Sequence, residues 1–104
     1  MKRSAFKMKL KPGSTTEYKR RHANIWPELK LLLSESGVYD YTIFLDEETD
    51  TLFAFQKTRG EQGSQDLAGA EVVQRWWAYM ADIMETNPDH SPKTINLTEV
   101  FHLE

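Results

Sequence analysis

Val38-Tyr39-Asp40-Tyr41-Thr42-Ile43-Phe44-Leu45, the polar run Asp46-Glu47-Glu48-Thr49-Asp50, and Thr51-Leu52-Phe53-Ala54-Phe55-Gln56-Lys57 follow one another in the middle of the chain. In the first segment Tyr39, Tyr41, Ile43 and Leu45 fall on alternate positions, the period of a half-buried strand. The polar run reads as a hairpin turn and the last segment as the returning strand. On that strand Phe53 and Phe55 oppose Leu52 and Ala54, so both of its faces are apolar. Such a strand needs cover on two sides.

Working outward, Gly37 fits the left-handed residue that closes a helix. That helix is predicted to begin at Ser14-Thr15-Thr16-Glu17, which has the form of a capping box. It should kink or restart at Trp26-Pro27, because proline is tolerated in a first helical turn. Before it, Phe6, Met8 and Leu10 alternate with Lys7 and Lys9, a first strand over residues 4–10 broken by Pro12-Gly13. Downstream, Arg59 to Gly69 reads as loop with a short helical turn. Val72, Val73, Trp76, Met80, Ile83 and Met84 recur at helical spacing and predict a helix from Ala70 to Glu85. Asn87 to Pro92 is a loop of turn formers, and Ile95, Leu97, Phe101 and Leu103 mark a last strand. The order β-α-β-β-α-β is the α+β, ferredoxin-like pattern: a four-stranded antiparallel sheet with its helices on one face. A sheet-to-sheet homodimer is the simplest cover for the other face.

The 104 residues suffice for one domain, 1–104, with a single core. A net charge of −3 argues against a nucleic-acid surface, which is usually basic. With no cysteine, disulfides, Fe–S clusters and thiol catalysis are excluded. The opening Met1-Lys2-Arg3-Ser4-Ala5-Phe6-Lys7 has no apolar run of the kind a signal peptide needs. No apolar run is long enough to span a membrane either. The expectation is a small cytoplasmic domain with neither nucleic-acid nor membrane partner.

Chemistry concentrates at two places. Tyr18 and His22 form an i,i+4 pair on the inward face of the first helix. Both could be core fillers, yet the helix sets a titratable group beside a hydroxyl where apolar residues would do. Trp76-Trp77 lies on the second helix, Trp76 inside the apolar stripe and Trp77 at its margin, and the pair suits a pocket wall. The three histidines, 22, 90 and 102, show no metal-ligand spacing. There is no phosphate-binding glycine loop and no nucleophile elbow. Lys19, Arg20 and Arg21 are read as the solvent side of their helix.

Glu17-Tyr18-Lys19-Arg20-Arg21-His22 followed by Ile25-Trp26-Pro27-Glu28-Leu29 resembles the L-rhamnose mutarotase family. So do Asp40 to Asp46, Val73 to Asp82, Asn87 to Pro92 and Glu99 to Leu103, so that the likeness runs nearly end to end. Residues 57 to 70 match none of the family's specific motifs. The resemblance implies a dimeric α/β barrel of ferredoxin-like subunits. It also implies an isomerase that interconverts the α and β anomers of L-rhamnose without cofactor or metal, in rhamnose catabolism. By position it makes His22 the proton donor and Tyr18, Tyr41, Trp76 and Trp77 the sugar-binding residues.

Mutarotation needs a proton delivered to the ring oxygen and another removed from the anomeric hydroxyl. An imidazole can exchange protons at neutral pH. His22 is expected to protonate the ring oxygen, with Tyr41 or a water taking the anomeric proton. Two other readings stand beside this one: a cofactor-free monooxygenase of the same barrel class, and a sugar-binding protein without catalysis.

Overall fold

A computed structural model describes residues 2–104. Its elements are β1 (Lys2–Lys9), α1 (Thr15–Ala23), α2 (Pro27–Glu35), β2 (Val38–Asp46), β3 (Thr51–Thr58), α3 (Glu71–Met80) and β4 (Ile95–Leu97), with a 3₁₀ turn at Ser64–Asp66. The strands pair antiparallel in the order β2-β3-β1-β4, the arrangement expected of the ferredoxin-like pattern. The register sets Phe6 beside Ala54 and Met8 beside Leu52, and across β2 it sets Ile43 and Leu45 beside the same two residues. These side chains form the sheet's half of the core. Leu29, Val73, Trp76, Trp77 and Met80 supply the half that comes from the helices.

The predicted break at Trp26-Pro27 is real. α1 ends at Ala23, and α2 begins at Pro27, where a missing N–H costs nothing. Gly37, at φ +89°, closes α2 as expected, and an added Cβ would come within 3.3 Å of the Arg59 Cβ. The capping box does not form. Ser14 precedes α1 without a side-chain cap, and the Glu17 carboxylate, the other half of the box, pairs with Arg20 and Arg21 instead.

β2, α3 and β4 depart from the sequence reading. β2 carries a bulge between Tyr39 and Thr42, with Asp40 at φ +49°. The extra residue breaks the alternation. Val38 therefore turns into the core with Tyr41, whereas Tyr39, opposite Lys57, leaves that face and lies against the Arg59 guanidinium, 4.5 Å from its ring centre. α3 stops at Met80 rather than Glu85. Residues 83–85 instead bind the end of β1, where the Lys11 N–H donates to the Ile83 carbonyl and the Glu85 N–H to the Lys9 carbonyl. The last strand keeps only Ile95–Leu97, and Phe101 and Leu103 extend past it, 78% and 80% exposed.

The other face of the sheet carries exposed apolar side chains, as the doubly apolar β3 predicted. Phe44 and Phe55 meet edge to face at 5.9 Å. They remain 60% and 44% exposed, and Ile95 on β4 is 62% exposed.

Candidate active site

Between the helices and the sheet lies a cleft of about 1030 Å³. All five residues singled out in the sequence, Tyr18, His22, Tyr41, Trp76 and Trp77, line it. They come from three elements. α1 presents Tyr18 and His22 one turn apart, α3 presents the tryptophans, and the bulged half of β2 turns Tyr41 inward.

His22 is held tightly. Its ring stacks on Tyr18 at 4.2 Å between centres and meets the edge of Trp76 at 5.5 Å. Nδ1 lies 3.2 Å from the Tyr18 carbonyl oxygen. A carbonyl can only accept, so Nδ1 carries the hydrogen and donates it. In the neutral ring Nε2 is then left with its lone pair. Burial pulls the imidazole below its ordinary value of 6.5, partly offset by that backbone hydrogen bond. Neutral His22, with no hydrogen bond to Nε2 among the described residues, is thus the resting form at pH 7.

The two tyrosines shift the other way. Burial, with the neighbouring Tyr41, pushes the Tyr18 phenol far above its usual 10. Burial also raises Tyr41, partly offset by the nearby Ser64 hydroxyl. Both phenols stay protonated and can serve as hydrogen-bond donors. Trp76 and Trp77 are 8% and 6% exposed, so Trp77 does not sit at a wet margin. Both indoles are at once core and wall, and their aromatic faces suit the C–H faces of a sugar.

The profile of the L-rhamnose mutarotase family matches residues 3–103. The chain belongs to this family. It is similar to an L-rhamnose mutarotase of Bacteroides thetaiotaomicron, 67% identical over the whole of both chains. Another of Lachnoclostridium phytofermentans is 49% identical, again over both chains. The crystal structure of L-rhamnose mutarotase from Formosa agariphila superposes with a TM-score of 0.92 at 57% identity, covering all of each chain. The family's ferredoxin-like fold is the one described above.

Two features of the site were not visible in the sequence. Arg21, read as a solvent-facing residue, is buried. It donates to Glu17 at 2.6 Å, to the Tyr79 carbonyl at 2.7 Å and, through both terminal nitrogens, to Asp82 at 2.8 and 3.2 Å. Its guanidinium also stacks on the Tyr79 ring at 4.5 Å. Hydrogen bonds from Arg20 and Arg21 hold the Glu17 carboxyl down at about 2. This network ties α1 to the end of α3, and with them His22 to Trp76. His90 was the other surprise. It reaches the rim of the cleft from the Asn87–Pro92 loop, with φ at +71°.

Proposed function

We propose that this protein interconverts the α and β anomers of L-rhamnose, with His22 as the proton-transfer group. The observation that carries the mechanism is the free Nε2 of His22 in a cleft lined by aromatic faces and hydroxyls. Neutral His22 first takes the proton of the anomeric hydroxyl on Nε2. As C1–O1 becomes a carbonyl and the bond from C1 to the ring oxygen breaks, the imidazolium gives that proton to the ring oxygen, directly or across one water. The open chain turns about its first C–C bond, and the same steps in reverse close the other anomer. One proton moves and none is lost.

Tyr18, Tyr41, Trp76 and Trp77 hold the sugar. The protonated phenols of Tyr18 and Tyr41 suit them to donate to sugar oxygens, so the anomeric proton goes to His22. Hydroxyl partners around the cleft (Tyr18, Tyr41, Ser64 and Thr86) favour a sugar over the apolar substrate of a monooxygenase. The setting we infer is rhamnose catabolism in the cytoplasm, as the family implies.

Saturation-difference NMR on a panel of 6-deoxy sugars tests this reading, because it reports anomer exchange and specificity together. L-rhamnose exchange should be strongly accelerated; binding without faster exchange would leave only a sugar-binding protein. The pH profile follows from the tautomer. The base form of His22 is lost as pH falls through its pKa, which lies below 6.5. The rate should therefore be level near pH 7 and decline on acidification through that value. A rate that rises as pH falls would assign His22 the acid role alone in the slow step.

A homodimer is proposed across the apolar sheet face. Exposed apolar patches rimmed by polar groups mark association sites, and a two-fold contact would place Phe44 and Phe55 against their own copies. Sedimentation should show a dimer at micromolar concentration. Phe44→Glu should shift it to monomer. A wild-type monomer under these conditions would refute the assembly.

A further inference from the structure

Lys19 and Arg20 on α1 face solvent, whereas Arg21 beside them is 9% exposed. A guanidinium carries its N–H donors in a planar, rigid fork. Nε of Arg21 donates to Glu17, one turn back on the same helix. Nη1 donates to the Tyr79 carbonyl and to one oxygen of Asp82, and Nη2 donates to the other oxygen of Asp82. The bond to Glu17 fixes the side chain on α1. The remaining bonds end on the last turn of α3 and just past it, where a helix has no donors of its own for its final carbonyls.

Burying a guanidinium is a poor source of stability, because its lost hydration offsets much of the attraction to its partners. What the fork supplies here is direction. His22 follows Arg21 on α1, and its ring meets Trp76 at 5.5 Å. Trp76 lies one turn before Tyr79 on α3, and their rings are 5.6 Å apart. The Arg21 guanidinium, 4.5 Å from the centre of the Tyr79 ring, closes the circuit. A change in the grip of Arg21 on α3 therefore changes how the imidazole lies against the indole, and so where Nε2 stands in the cleft.

We propose that Arg21 is a positioning residue for the reaction: by fastening α1 to the end of α3, it sets His22 Nε2 against the tryptophan wall. Arg21 is not among the residues that line the cleft, so its effect runs through His22. The proposal rests on the reading of His22 as the proton-transfer group.

The test is Arg21→Lys, which keeps the charge and loses the fork. Anomer exchange of L-rhamnose is measured with kcat and KM separated, and urea unfolding is followed in parallel. kcat should fall by about 10–100-fold with KM little changed, since a misplacement of about 1 Å can cost about 10²-fold. In a His22→Ala background the same change should cost nothing more. The His22 ring protons, which feel the ring current of Trp76, should shift in the NMR spectrum of the lysine variant. Asp82→Asn weakens the same grip at an exposed residue, and stands in if the lysine variant fails to fold. It should lower kcat with the same dependence on His22. Equal losses with and without His22, unmoved His22 ring protons, or a wild-type kcat in the folded variant would overturn the proposal alone. A His22→Ala enzyme at the wild-type rate would overturn the reading of His22, and the proposal with it.

Discussion

His22→Ala is expected to slow anomer exchange of L-rhamnose by about 10²–10⁴-fold, the usual worth of a positioned acid–base group. The fold should survive, because the ring is only partly buried and α1 keeps its hold on α3 through Arg21. Glu17, Arg21 and Asp82 are untouched by the change. Exchange followed by NMR at neutral pH gives the rate, and circular dichroism checks the fold. His102→Ala, near the exposed chain end, should match wild type. If His22→Ala keeps most of the rate, the imidazole only binds or packs, and proton transfer runs through water held by the phenols.

Trp77→Ala is expected to destabilise the protein by about 3–5 kcal/mol, as truncation of a buried aromatic generally does. Read from the sequence, Trp77 sits at the edge of its helix stripe, where its loss should harm sugar binding more than folding. In the structure it is 6% exposed and belongs to the core with Leu29 and Met80. Trp76→Ala should cost a similar amount, since Trp76 also supports His22 and Trp26 edge to face at 5.5 and 5.1 Å. Urea unfolding measures both. The wall is better probed with Trp77→Phe, which keeps an aromatic face and removes the indole N–H. It should stay folded and raise KM for the sugar. An unchanged KM would confine Trp77 to packing.

What could be read from the sequence, and what could not, divides along the reach of the interactions. Tyr18 and His22 meet because helical geometry places residues four apart on one face, a local rule with no need of the rest of the chain. The restart at Pro27 and the closing turn at Gly37 are equally local. The inward turn of Tyr41 was read correctly, but its supposed companion Tyr39 was not. A bulge at Asp40 intervenes, and nothing in an alternating strand announces a residue at positive φ. Aspartate does tolerate that region better than most residues, which was the only available signal. Arg21 escaped for a different reason. An arginine in a basic run on a helix defaults to solvent, and the burial of Arg21 depends on Asp82, 61 positions away. The capping box failed through that same competition, because Glu17 gains more from two guanidinium groups than from a backbone amide. The two hydrogen bonds between Gln56 and Ser64 involve a stretch without pattern, where pairing is set only when β3 and the loop meet.

The single hydrogen bond that aims His22 carries one more implication. Among the described residues, the ring is oriented by the carbonyl of Tyr18, one turn back on the same helix, with no carboxylate behind it. In hydrolases built on a serine–histidine–aspartate triad, an acid behind the imidazole orients it and steadies its positive form while the tetrahedral intermediate lasts. Mutarotation has no covalent intermediate to wait for. A neutral amide oxygen gives the ring its direction without making the proton costly to release. His22 is therefore built for brief custody of a proton, suited to a reaction in which forward and return journeys are equally wanted.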